Sequence, residues 1–198
     1  FELENFKSNE YNTVLMLKEG EENPADAHIL PGNGIQINIL GRTIEMMYGM
    51  KYFVHFFESE DNTHVKIAEK LAEKSFVPVI FTREKRDVAV KKYPANSEIF
   101  YFDSFTKKND TLSPKSLDFA VRLVSETKHR NFFVIVDCLD YLMTYNERKE
   151  VILFVEKLFD AVSSREAFLI IPLCLPLFER REILLLERFG DVLSLGPD

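Results

Sequence analysis

Phe132-Phe133-Val134-Ile135-Val136 is a continuous apolar run that stops at Asp137, and further along Phe168-Leu169-Ile170-Ile171 stops at Pro172. A run without polar alternation is how a strand covered on both faces reads, and the helix-patterned segment between these two makes them a strand, crossover, strand unit. An apolar strand ending in a carboxylate is also how nucleotide-hydrolysing α/β domains present the acid that holds Mg²⁺. The stretch therefore decides the fold and poses the functional question: are the other parts of a phosphate-binding machine present?

Working outward, Tyr52 to Phe57, Phe76 to Phe81 and Ile99 to Phe102 are further apolar runs of strand length. Between the runs, Ile67, Ala68, Leu71 and Ala72 share one helical face. Leu117, Ala120, Val121 and Val124 do so too, as do Val151, Phe154, Val155, Leu158 and Val162. Strands alternating with amphipathic helices predict an α/β fold, a three-layer αβα sandwich with a mostly parallel sheet. Ser113 before Pro114 reads as a helix N-cap, and Thr144 with Glu147 has capping-box spacing. A last helix over about 178–188 is expected to lead into a short strand near Val192. Residues 1–47 read differently. Val14 to Leu17 suggests a strand, Pro31-Gly32-Asn33-Gly34 a turn, and Ile35-Gln36-Ile37-Asn38-Ile39 alternates like a strand with one wet face. The expected division is a small β-rich appendage over 1–47 and an α/β domain over 48–198.

With 198 residues, 46% of them hydrophobic, the chain has ample material for one core. Its formal charge of -7 is concentrated at the front, where residues 1–47 hold about eight acids against three bases. Nucleic acid is therefore not an expected partner, because that binding needs a concentrated cationic face. Cys138 and Cys174 have neither metal-site nor disulfide spacing, which fits a reducing, cytoplasmic setting. No run reaches the ~18 to 20 apolar residues of a membrane span, so direct membrane insertion is not expected of this segment. A membrane tether preceding Phe1 is carried as a further possibility.

A phosphate-binding loop needs glycines, backbone N–H groups and a lysine between the first strand and helix. Here that turn is Glu58-Ser59-Glu60-Asp61-Asn62-Thr63-His64, with no glycine, no lysine and three carboxylates. Like charges at ~4 Å repel by several kcal/mol at an effective dielectric of about 20, so binding of a triphosphate in the usual pose is expected to be lost. Asp137 and Asp140 have the chemistry of Mg²⁺ ligands, but without a phosphate loop they read as turn and cap residues. No metal and no cofactor is expected. Arg83, Glu84 and Arg86, with Lys91 and Lys92, form a charged cluster after the second strand, at the edge where open α/β sheets bind ligands. His28, His55, His64 and His129 are scattered, and no nucleophile elbow appears. His55, inside an apolar strand, reads as a satisfied core histidine. The charged last helix, with Arg180, Arg181, Glu187 and Arg188, reads as ion-paired on its solvent side and also as a docking face.

The run Phe133-Val134-Ile135-Val136-Asp137-Cys138-Leu139-Asp140-Tyr141-Leu142, then Leu169-Ile170-Ile171-Pro172-Leu173 and Leu184-Leu185-Leu186-Glu187-Arg188, resembles the archaeal domain of unknown function 835. Val79 to Glu84 and Leu112 to Leu117 look like two further elements of that pattern, so the resemblance spans about 48–193. It implies a fold similar to RecA/KaiC-type P-loop NTPases whose phosphate loop has degenerated. It also places Glu84 near the catalytic glutamate position and Asp137 at the Mg²⁺-loop acid. Cys138 stands where that family usually has glycine.

Together these readings predict a non-catalytic, NTPase-derived domain acting as a regulatory or scaffolding module through a protein partner or self-association. The expected contact surfaces are Ile35, Ile37 and Ile39 and the last helix. The alternatives are an atypical nucleotide or phosphate-ester binder using Arg83, Glu84, Arg86, Asp137 and Asp140, and a sensory domain of a membrane-anchored protein.

Overall fold

The computed structural model describes residues 29–30, 34–39, 41–56, 62–105, 108–188 and 190–193. β1 (Ile29–Leu30), β2 (Gly34–Ile39) and β3 (Arg42–Met47) form an antiparallel sheet in that order. The second sheet contains β4 (Met50–Phe56), β5 (Val77–Thr82), β6 (Glu98–Phe102), β7 (Thr111–Leu112), β8 (Phe132–Asp137), β9 (Ala167–Cys174) and β10 (Asp191–Leu193). Its order is β10-β4-β9-β8-β5-β6-β7, and every pairing is parallel. The helices are α1 (Thr63–Glu73), α2 (Arg86–Lys92), α3 (Leu117–Glu126), α4 (Leu139–Tyr145), α5 (Arg148–Ser163) and α6 (Arg180–Leu186).

Alternate strand residues point to opposite faces, and both faces are covered. On one, Phe53, Phe81, Val134, Val136, Leu169 and Ile171 pack against the apolar sides of α3, α4, α5 and α6. On the other, Tyr52, Val54, Ile80, Ile135 and Ile170 meet α1, α2 and the small sheet. The α/β class and the mostly parallel sheet expected from the apolar runs are therefore observed.

The small sheet corrects one expectation. Ile35, Ile37 and Ile39 are 1%, 0% and 3% exposed and share a core with Leu71 and Phe133, so they are no contact surface. Their alternation marks the dry side of β2. Its wet side is Gln36 and Asn38, bonded to Glu45 and Thr43 across the strand pair. Gly49 makes the tight passage from β3 to β4 at φ +74°, and a Cβ there would lie 2.4 Å from the Ser163 carbonyl oxygen.

Boundaries moved where local signals competed. Ser113 and Pro114 belong to a turn closed by Ser116 N–H donating to the Ser113 carbonyl, and α3 begins only at Leu117. Thr144 lies inside α4, and the capping box falls on Glu147 and Glu150 at the start of α5. The last helix starts later than expected because Phe178 and Glu179 stay extended after a separate 3-10 turn at Leu175–Leu177. The two-residue β7 was not foreseen. Val14 to Leu17 and Pro31 to Asn33 lie outside the described residues.

Candidate functional site

The carboxyl ends of β5 and β8 meet at the pair Thr82 and Asp137. β8 stops there because Cys138 leaves the extended conformation, at φ -164° and ψ 28°, with its thiol directed at the Phe81 carbonyl oxygen 3.6 Å away. Asp137 is thus presented at the centre of the sheet edge, largely buried, where the start of α1 and the end of α2 reach it from one face.

Its Oδ2 gathers three groups. The Lys92 ammonium donates from the last turn of α2 at 2.8 Å, and the Tyr93 hydroxyl donates at 2.5 Å. His64 Nε2, from the first turn of α1, lies 3.6 Å away, beyond hydrogen-bond reach. Burial pushes the Asp137 carboxyl up, but His64 and the Lys92 ammonium outweigh it and hold the pKa at about 2. Burial first, and then Asp137, push the Tyr93 phenol far up, so it remains a donor. Lys92 also lies 3.5 Å from Glu84.

The residues foreseen as one ligand set separate into three. Glu84 and Asp137 are bridged by Lys92. Arg83 pairs with Asp140 at 3.4 Å and lies over the Tyr141 ring. Arg86 is paired elsewhere, its fork taking the Asp110 carboxylate and Thr111 Oγ1 with the guanidinium over the Tyr101 ring, although it borders one cavity together with Arg83 and Glu84. Glu58, Ser59, Glu60 and Asp61 lie outside the described residues, while Asn62 caps α1, and Thr63 and His64 begin it. In the sequence Lys92 stands out only as part of a charged cluster, and Tyr93 has no distinguishing signal.

Two cavities open beside this network, with Arg83 and Glu84 common to both. One, of about 490 Å³, is bordered by Lys85, Arg86, Lys108, Tyr101 and Tyr141. The other, of about 210 Å³, is bordered by His64, Lys92, Asp137, Cys174, Leu177 and Phe178. Among the described residues no three His, Cys, Asp or Glu side chains converge to hold a metal ion. Burial pushes both the Cys138 and the Cys174 thiol up, which leaves neither an activated nucleophile.

Away from the edge, the acids of the last helix turn inward rather than pairing on its outer side. Glu182, 5% exposed, meets Arg148 of α5, and Glu187 meets His55 Nε2. His55 is thus satisfied, but at a partly exposed position rather than in the core. The outer side of α6 keeps Arg180, Arg181, Leu184 and Leu185, the two leucines 62% and 41% exposed. Among the described residues no helix is long and apolar enough to cross a membrane.

Fold and edge together define a class: a parallel α/β protein whose central strand-end acid faces cavities at the carboxyl edge of its sheet. Within it, the chain belongs to the family described as Protein of unknown function (DUF835), whose model matches residues 57–189. No curated protein matches the chain.

Proposed function

We propose that the chain is a non-catalytic, NTPase-derived domain of an archaeal cytoplasm, working through protein contacts as a regulatory or scaffolding module. One observation carries this reading: Asp137, the acid that would hold a metal, already has the Lys92 ammonium as its counter-ion at 2.8 Å. A divalent cation would have to expel that ammonium against charge repulsion, in a partly buried site where screening is weak. The sequence between β4 and α1, with Glu58, Glu60 and Asp61 and neither glycine nor lysine, lacks the residue types that hold polyphosphate. The contact surface on this reading is the outer side of α6, where Arg180 and Arg181 flank exposed Leu184 and Leu185.

Calorimetric titration with Mg·ATP and with Mg·GTP tests the reading. No heat of binding is expected into the millimolar range. Saturable binding that Asp137→Ala abolishes would overturn it.

A second reading rests on the larger cavity. Arg83, Lys85 and Lys108 border it with Tyr101 and Tyr141, a combination suited to an aromatic phosphate ester, although Arg86 is committed to Asp110. Titration with cyclic nucleotides and dinucleotides, repeated on Arg83→Ala, separates this reading from the first.

A further inference from the structure

The carboxylates of Glu179, Glu182 and Glu187 are all engaged. Glu179 and Glu182 each accept the other's backbone N–H in the capping box that starts α6, and both reach Arg148 of α5. Glu187 meets His55 of β4. Arg180 and Arg181 have no such tie: among the described residues neither has an ion-pair or hydrogen-bond partner. They stand in the first turn of α6, where the helix dipole disfavours a cation, so the stability of the helix does not account for them. Leu184 and Leu185 follow one turn later, each four residues after an arginine and each exposed, so the outer side carries two arginine–leucine rows.

We propose that this side of α6 docks an acidic amphipathic segment of a partner protein, one whose leucine-like side chains are flanked by Asp or Glu. The inference rests on the reading of α6 as the contact surface and adds what that surface selects. An arginine with no carboxylate of its own offers its planar fork to a carboxylate of the partner, and the exposed leucines supply the apolar contact beside it.

Other occupants fit this face less well. A second copy joined across a two-fold axis sets the same patch against itself, so the arginines of one copy meet those of the other. An anionic membrane is held by clusters of about four to eight Lys or Arg, more than Arg180 and Arg181 provide, and the net charge of -7 opposes it. A helix of seven residues is about 10 Å long, which suits a short segment and a transient complex. The chain's own acid-rich residues 1–28 are the remaining rival.

The test uses the whole chain and synthetic peptides about 16 residues long. The first has leucines at i, i+3 and i+4 spacing flanked by glutamates, the second has lysines in place of the glutamates, and the third has serines in place of the leucines. Fluorescence anisotropy should show saturable binding of the glutamate peptide at about 10–100 μM, with the other two about tenfold weaker or worse. Raising the salt from about 0.15 M to about 1 M should weaken the glutamate peptide several-fold. Arg180→Glu with Arg181→Glu puts acids where the helix dipole favours them, so α6 is kept. This variant should bind the glutamate peptide about tenfold more weakly and the lysine peptide more tightly than the wild type does.

A lysine peptide that binds the wild type as tightly as the glutamate peptide would overturn the proposal. If Leu184→Glu with Leu185→Glu still removed that binding, α6 would stand as the contact surface and only the acidic partner would fall. Glutamate-peptide binding that neither double variant alters would overturn the proposal and move the contact off α6 as well. Tighter binding of anionic lipid vesicles or of a synthetic peptide of residues 1–28, or self-association lost in the arginine variant, would give the face to another occupant and overturn it.

Discussion

At Asp137 a single carboxylate is satisfied by donors from a different layer of the fold, and its titration reports that environment. The folded group titrates at about 2, below the ordinary value of 3.8. A depressed folded pKa stabilises above the unfolded pKa, and that contribution disappears as pH falls through the folded value. Stability from this group is therefore complete above about pH 4 and lost toward about pH 2. Asp137→Asn is expected to cost on the order of 2 kcal/mol at neutral pH and to flatten the stability profile between about pH 4 and pH 2. Urea denaturation across that range checks it; a wild-type slope retained in the variant would assign the acid sensitivity elsewhere. The sequence showed Asp137 because it interrupts an apolar run. It did not show Tyr93, because a tyrosine after a helix end has no local pattern that reveals what its hydroxyl meets.

Among the elements, β4 holds the least expected side chain. Lys51 is fully buried, its ammonium 2.5 Å from Glu156 of α5 and 5.1 Å from the Phe159 ring centroid. Removing one partner of such a pair leaves an uncompensated charge, whereas replacing both by apolar groups is often neutral. Glu156→Ala should cost about 3 kcal/mol, and Lys51→Met combined with Glu156→Leu should recover most of that loss. Denaturant midpoints of the two variants decide the point; equal losses would mean that the pair itself, rather than burial of a lone charge, sets the energy. Element boundaries followed the same logic of competition. Ser113 and Pro114 have the residue types of a helix start, yet their backbone closes a turn and α3 waits for Leu117, the first residue of its buried stripe.

For the whole molecule, the distribution of charge across α6 matters most. Glu182 and Glu187 are used internally, so the outward side presents arginine and leucine without carboxylates between them. Leu184→Glu with Leu185→Glu changes only exposed positions and should leave stability within about 0.5 kcal/mol. If α6 is the contact surface, in-cell cross-linking to partner proteins should fall by about tenfold in the same variant. Undiminished cross-linking would place the contact on another face.

The sequence by itself determined the parallel α/β class, the strands of the central sheet other than β7, and the position of Asp137 at a strand end. Those properties follow from hydrophobic period, which is local: a strand buried on both faces reads as a near-continuous apolar run, and the carboxylate that interrupts one marks its end. Tertiary structure alone decided that Lys92 and Tyr93 satisfy Asp137 from 45 and 44 residues away, that Arg86 turns to Asp110, and that Ile35, Ile37 and Ile39 face inward. Such meetings depend on how helices from separate crossovers settle against one sheet edge, and no period along the chain encodes which long side chain will reach which carboxylate.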